Sequence, residues 1–68
     1  MKIIINDIDG NAHHTVESGS ESEVRARFLQ SHPVQSLITE AIEDGGRAED
    51  TYEIDGEEYA TLVIATPD

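Results

Sequence analysis

The sequence predicts a small α+β domain of the ββ-α(α)-ββ type, with two antiparallel hairpins packed on a central helical segment. The first observation behind this prediction is that the tripeptide Ile-Asp-Gly occurs at residues 8–10 and 54–56, each time between stretches that favour strands. The second is that the apolar residues between these two stretches recur at helical spacing. All 68 residues are expected to form one domain, residues 1–68.

The first hairpin is predicted over residues 2–17. The three consecutive isoleucines at residues 3–5 are β-branched, and Asp9-Gly10-Asn11 has the composition of a tight turn. Residues 12–17 can return as the second strand, after which Ser18-Gly19 interrupts the strand pattern.

The helical segment is predicted to begin with a capping box. In this motif the Ser20 hydroxyl accepts a hydrogen bond from the Glu23 amide, while the Glu23 carboxylate accepts one from the Ser20 amide. Pro33 disfavours helical geometry at the residue before it and suits the first position of a new helix. The sequence therefore predicts a short helix at about residues 21–30 and a second at 33–43, or one helix kinked at Pro33.

The second half of this segment has the clearer periodicity. Its apolar residues fall at positions i, i+3, i+4, i+7 and i+8 and form one helical face: Val34, Leu37, Ile38, Ala41 and Ile42. Asp44-Gly45-Gly46 then predicts a left-handed helix cap. The second hairpin is predicted over residues 51–65, after a polar connection at residues 47–50.

Loop length decides which side chains of each hairpin face the core. A two-residue Asp-Gly loop is the usual choice, but it would place Glu53 opposite Glu58, an unfavourable pair of like charges. A three-residue loop at residues 55–57 instead pairs Ile54 with Glu58 and turns Tyr59 outward. It also gathers one apolar face in each hairpin, and we therefore predict three-residue loops in both. The predicted inward residues are Tyr52, Ile54, Ala60, Leu62 and Ile64 in the second hairpin, and Ile4, Ile8, Ala12 and Val16 in the first.

The net charge disfavours several classes of function. Fifteen acidic residues against four basic ones give a net charge of −11, so the chain is expected to bind a basic protein and not nucleic acid itself. The longest apolar run, residues 62–65, is too short to cross a membrane, and the first residues lack the features of a signal peptide. A cytoplasmic location is therefore expected.

No catalytic or metal-binding signature is recognisable. Residues 7–11 match the start of an EF-hand calcium loop, but Ala12, His14 and Ser18 stand where that loop requires glycine, a hydrophobic residue and a bidentate acid. His13 and His14 are neighbours on a predicted strand, so they point to opposite faces and are poorly placed to chelate one metal ion. No metal, cofactor or enzymatic activity is expected, and a metal-binding module is the least favoured hypothesis.

The acidic residues are concentrated between residues 43 and 58, on a helix end and a hairpin turn that are expected to be exposed. Closely spaced carboxylates in such a position imitate a nucleic-acid backbone, which carries about one charge per 1.7 Å of duplex. The predicted partner-binding residues are Glu43, Asp44, Glu49, Asp50, Glu53, Asp55, Glu57, Glu58 and Tyr59, the last as an aromatic anchor. Solubility or a salt-rich habitat would also account for the acidity.

Small size, acidity, lack of cysteine and the hairpin–helix–hairpin plan resemble small phage-encoded inhibitors, namely anti-CRISPR and anti-restriction proteins. Some of these are DNA mimics, and the resemblance implies an inhibitor that acts in the host cytoplasm on a nucleic-acid-binding protein. The strand-strand-helix opening is also similar to small antitoxins that neutralise a basic RNA-cleaving toxin. The alternative function is a structural or assembly subunit, such as a homodimer joined through an edge strand.

Overall fold

The computed structural model describes residues 1–9 and 14–67, and of His14 it describes the backbone alone. Its elements confirm the predicted α+β class and the ββ-αα-ββ order. No helix in the described part of the chain is long and apolar enough to cross a membrane. The elements are β1 (Lys2–Asp7), β2 (His14–Ser20), α1 (Glu21–Ala26), α2 (Val34–Glu43), β3 (Arg47–Ile54) and β4 (Glu57–Thr66).

The four strands form a single antiparallel sheet in the order β2-β1-β4-β3. The central pair joins the two hairpins, with Ile3 opposite Ala65 and Ile5 opposite Val63. Strands β2 and β3 are therefore the two edges of the sheet. Because opposite residues of neighbouring strands share a face, this register fixes which side chains point toward the helices.

The helical segment divides into two separate helices and is not one kinked helix. The capping box forms as predicted, with the Glu23 amide 3.3 Å from the Ser20 hydroxyl oxygen and the Ser20 amide 3.2 Å from the Glu23 carboxylate. Helix α1 ends at Ala26, earlier than predicted, and Pro33 lies immediately before α2 as its N-cap. The side-chain amide of Gln35 donates to carbonyl oxygens at the end of α1 and in the connection, those of Arg25, Phe28 and Leu29. These bonds replace the ones that further helical turns would supply.

Both helices cover the same face of the sheet. The predicted apolar face of α2 is buried at Val34, Leu37, Ile38 and Ala41, and Ile42 packs against it. Arg25 ties α1 to α2, because its guanidinium lies 3.1 Å from the Gln35 carbonyl oxygen and 2.8 Å from the Thr39 hydroxyl. The full core comprises Ile3, Ile5, Val24, Val34, Leu37, Ile38, Ala41, Ala48, Val63 and Ala65.

The prediction of a three-residue loop in the second hairpin is wrong. Strands β3 and β4 are joined by the two residues Asp55 and Gly56, so Ile54 lies opposite Glu57 and Glu53 opposite Glu58. Asp55 and Gly56 have φ angles of 51° and 83°, as a tight hairpin turn with two left-handed residues requires. The repulsion between these two exposed carboxylates costs less than about 1 kcal/mol. The backbone twist of the Asp-Gly turn and the packing of the core together outweigh this cost.

The two-residue loop also reverses part of the predicted inner face. Ala60, Leu62 and Ile64 were predicted to face the core, but they lie half-buried on the face of the sheet that the helices leave open. Tyr52 does face the helices as predicted, and Tyr59 lies opposite it on the same face instead of pointing outward. The core receives Val63 and Ala65 from β4.

In the first hairpin the register shifts between Ile5 and Asn6, where β2 contains one extra residue, Val16. The expected common face of Ile4 and Val16 is therefore wrong: Ile4 is on the open face, paired with Ile64, while Val16 sits in the bulge and is 49% exposed. The predicted turn and the inward position of Ala12 fall mainly on residues 10–13, which lie outside the described residues.

Candidate functional site

The acidic residues of the second hairpin lie along an exposed edge of the sheet. Strand β3 has one neighbour, β4, so its other side is free within the described sheet. Glu49 and Glu53 project on the open face, Asp50 projects on the opposite face, and all three are exposed. Carboxylates therefore flank the β3 edge on both sides.

More acidic residues lie at the tip of the hairpin. Asp55 is in the turn, Glu58 lies opposite Glu53 on the open face, and Glu57 lies opposite Ile54 on the helix side. We call the exposed set of six carboxylates the acidic edge; it comprises Glu49, Asp50, Glu53, Asp55, Glu57 and Glu58.

Two predicted site residues, Glu43 and Asp44, lie at the other end of β3. They are the last residue of α2 and its C-cap, and a short turn leads from them into Arg47. The eight residues of β3 span about 26 Å at the usual strand rise, so these acids are well separated from the hairpin tip. The predicted site is thus a line of charge along one edge and not a compact cluster.

The basic residues do little to neutralise this edge. Arg25 pairs with Glu21 at 2.9 Å, and Arg27 pairs with Glu17, both away from β3. Arg47 reaches Glu49 at 3.8 Å in an exposed contact, which contributes at most about 1 kcal/mol. Within residues 1–9 and 14–67, no lysine or arginine side chain lies within 4 Å of the other five carboxylates of the acidic edge.

The density of charge along the edge can be compared with that of DNA. From Glu49 to the end of β3 the strand spans about 20 Å, so the six carboxylates of the acidic edge give roughly one charge per 3 Å, against about one per 1.7 Å for duplex DNA. The spacing is closer to the 3.4 Å rise between phosphates of a single strand. A groove lined with lysine and arginine side chains can therefore pair with the edge at several points.

Tyr59, the predicted anchor, belongs to a row of aromatic rings on the helix side of the tip. Its ring stacks on Tyr52 at 5.9 Å, Tyr52 meets His32 edge-on at 5.6 Å, and His32 contacts Phe28 at 5.0 Å. The Tyr59 hydroxyl donates to the Glu57 carboxylate at 3.1 Å, and this hydrogen bond, together with the carboxylate charge, raises the pKa of Tyr59. Sequence reasoning missed the row because it depends on the loop length: only the two-residue loop places Tyr52 opposite Tyr59.

The described residues contain no group of three or more histidine, cysteine, aspartate or glutamate side chains arranged to hold a metal ion. His13 and the side chain of His14 are outside the described part of the chain. The histidine that is described, His32, uses Nδ1 to accept a hydrogen bond from the Val34 amide at 3.0 Å. This imidazole therefore has a structural role at the start of α2.

No protein-family model matches this chain, and no curated protein or solved structure matches it at a significant level. The geometry and charge of the acidic edge and of the aromatic row are therefore the basis on which a function is proposed.

Proposed function

We propose that this protein is a non-enzymatic inhibitor that presents the acidic edge to a basic, nucleic-acid-binding host protein, as DNA mimics do. The observation that carries the proposal is the line of exposed carboxylates on β3 and its hairpin tip, where Arg47 makes one weak contact and no other described lysine or arginine side chain lies within 4 Å. CRISPR and restriction complexes contain grooves of the required charge, and the resemblance to anti-CRISPR and anti-restriction proteins favours such a target.

The placement of the acids opposes the stability of the fold, which supports a role in binding. Glu53 lies opposite Glu58 across the hairpin, and like charges in such pairs are unfavourable. Glu43 and Asp44 lie at the end of α2, whose last turn has no basic residue, although the dipole of a helix favours cations there. At these four positions the negative charges therefore lower the stability of the fold.

Protection of an exposed edge strand is a second reason for acids on β3, because charged residues prevent edge strands from pairing with other chains. The two explanations differ in what they predict for a partner. Edge protection requires only that charge of some kind be present, whereas binding requires negative charge at this edge.

The test compares two sets of charge changes. Glu53→Lys with Glu58→Lys changes the acidic edge, and the matched control, Glu40→Lys with Ser22→Lys and Ser36→Lys, changes three exposed residues on the helices. Each set adds four units to the net charge of −11 and so affects the overall field equally. Each protein serves as bait in host lysate at low and high salt, and the affinity for any captured nucleic-acid-binding protein is then measured with and without competing duplex DNA.

We expect the control to bind nearly as well as wild type and the edge variant to lose binding at all salt concentrations. We also expect duplex DNA to compete, and affinity to fall as salt rises because exposed charges are screened beyond about 10 Å at 0.1 M salt. Equal loss in both variants would show that only net charge matters, and unchanged affinity of the edge variant at low salt would refute the proposal.

Self-assembly is the second candidate function, and one observation favours it. The open face of the sheet carries the half-buried apolar side chains Ile4, Leu62 and Ile64 on its two central strands. Pairing through β3 would bring acids against acids, so a homodimer is expected to use the open face or the β2 edge. A stable particle of twice the 7.5 kDa chain mass in light scattering, unaffected by the edge reversal, would support this function.

A further inference from the structure

A small cavity of about 210 Å³ lies on the helix side of the sheet, between the hairpin ends and the connection from α1 to α2. The row of aromatic rings lines it, and Val16 and Asp7 contribute to its walls. The cavity is smaller than the roughly 300–1,000 Å³ of sites for drug-sized ligands, so it fits a single side chain.

The polar atoms of the cavity's rings are held in place by the protein. The Tyr52 hydroxyl lies 2.8 Å from the Thr61 hydroxyl, the Tyr59 hydroxyl is bonded to Glu57, and His32 Nδ1 is bonded to the Val34 amide. Fixed side chains lose little conformational entropy when a ligand enters, which favours binding. The cavity is therefore ordered before any ligand arrives.

The chemistry of the walls favours a cation with a flat, weakly hydrated head. The faces of aromatic rings attract cations, and Asp7 adds a carboxylate whose Oδ1 is held by the Asp9 amide at 2.9 Å. Glu57 does not line the cavity, but its carboxylate accepts a hydrogen bond from the Tyr59 hydroxyl and adds negative charge nearby. A guanidinium group stacks on aromatic rings and pairs with carboxylates, whereas an ammonium group is more strongly hydrated and does not stack.

We infer that this cavity receives an arginine side chain of the basic partner, which stacks on Tyr52 and Tyr59 and pairs with Asp7 while the acidic edge contacts the surrounding basic surface. The inference takes its class of partner from the proposed function. It adds a specific anchor, since the edge alone selects for positive charge and the cavity selects for arginine over lysine.

The experiment titrates isotopically labelled protein with N-acetyl-arginine amide and follows its backbone, methyl and ring resonances by NMR. The corresponding lysine and citrulline derivatives are the matched probes, because citrulline keeps the shape of arginine without its charge. We expect saturable shifts confined to the cavity residues with the arginine probe, weaker shifts with lysine, and none with citrulline. Shifts that do not saturate, that spread along β3, or that citrulline reproduces would overturn the inference.

Two variants at one position separate a binding role from a structural one. Tyr59→Leu removes the ring and should weaken arginine binding about two- to five-fold, the change that corresponds to about 0.5–1 kcal/mol at 1.4 kcal/mol per tenfold. Tyr59→Phe keeps the ring, loses the hydroxyl bonded to Glu57, and should retain binding. Loss of arginine binding in both variants, with unchanged backbone spectra, would show that the ring face is not the contact.

The outcomes for the cavity and for the acidic edge are independent. Arginine binding to the cavity in the Glu53→Lys, Glu58→Lys variant would support the inference even if no DNA-binding partner is found. Conversely, partner binding that depends on the edge but is unaffected by Tyr59→Leu would refute the cavity as an anchor and leave the proposed function intact.

Discussion

Shortening neighbouring isoleucines of β1 by one methylene group tests the register of the whole sheet. Ile3 has no exposed surface and packs in the core, whereas Ile4, the next residue, lies half-buried on the open face. Both positions can be changed to valine, which keeps the β-branched shape and the strand preference. The two substitutions therefore differ only in the face on which the methylene group is lost.

The expected magnitude follows from burial. Removing a fully buried methylene group costs about 0.8 kcal/mol in transfer free energy, and Ile→Val changes in cores cost about 0.5–1.5 kcal/mol once the remaining void is included. We expect Ile3→Val to lower the free energy of unfolding by about 1 kcal/mol and the Tm by about 4–8 °C. We expect Ile4→Val to cost less than about 0.5 kcal/mol, since part of that side chain is already exposed to water in the folded state.

Thermal and urea unfolding, followed by circular dichroism, measure both differences in the same buffer. The slope of free energy against urea should not change, because neither substitution alters the surface exposed on unfolding. A cost for Ile4→Val equal to or greater than that for Ile3→Val would refute the assignment of faces. It would favour the register of a three-residue loop, in which Ile4 is buried.

Three further changes test local features. Gly56 has a φ of 83°, so Gly56→Ala should lower the free energy of unfolding, measured in urea, by about 1–2 kcal/mol. Asp55→Asn should be neutral or stabilising, because asparagine also suits this turn. Equal effects of the two substitutions would contradict the turn geometry. Ser20→Ala should cost about 0.5–2 kcal/mol by the same assay because it removes the cap at Glu23, and an unchanged midpoint would argue against the capping box. Burial lowers the pKa of His32 from 6.5, so its contribution to stability is complete above pH 6.5 and is lost as pH falls through the folded-state pKa. Below pH 6.5 the urea midpoint should therefore fall less steeply with decreasing pH in His32→Gln than in wild type. Parallel curves for the two proteins would contradict the dependence of stability on protonation of His32.

The sequence is sufficient to predict the elements whose signals are local. The capping box at Ser20, the break at Pro33 and the apolar face of α2 all depend on residues within a few positions of each other. Their geometry is set by backbone hydrogen bonds and helical spacing, so no knowledge of the remaining fold is needed. These predictions are confirmed, apart from the early end of α1, which depends on a bond from Gln35 ten residues away.

The register of the second hairpin could not be decided in the same way. The preference of Asp-Gly for a two-residue turn and the repulsion between Glu53 and Glu58 are both small and act in opposite directions. The central pairing of β1 with β4 decides between the two loop lengths, because it requires Val63 and Ala65 on the same face as Ile3 and Ile5. The aromatic row at the candidate site follows from that long-range contact and was therefore missed as well.

The sheet order has a consequence for how the chain folds. Its central pair joins residues 2–7 to residues 61–66, so the contacts that complete the core are among the most distant in the sequence. Contacts of high sequence separation slow folding because a long loop must close first. Each hairpin is marginal alone, so the two halves of the chain remain open to solvent until β1 and β4 meet. Removing β4 would accordingly leave the β1–β2 hairpin and the single strand β3 without a common core.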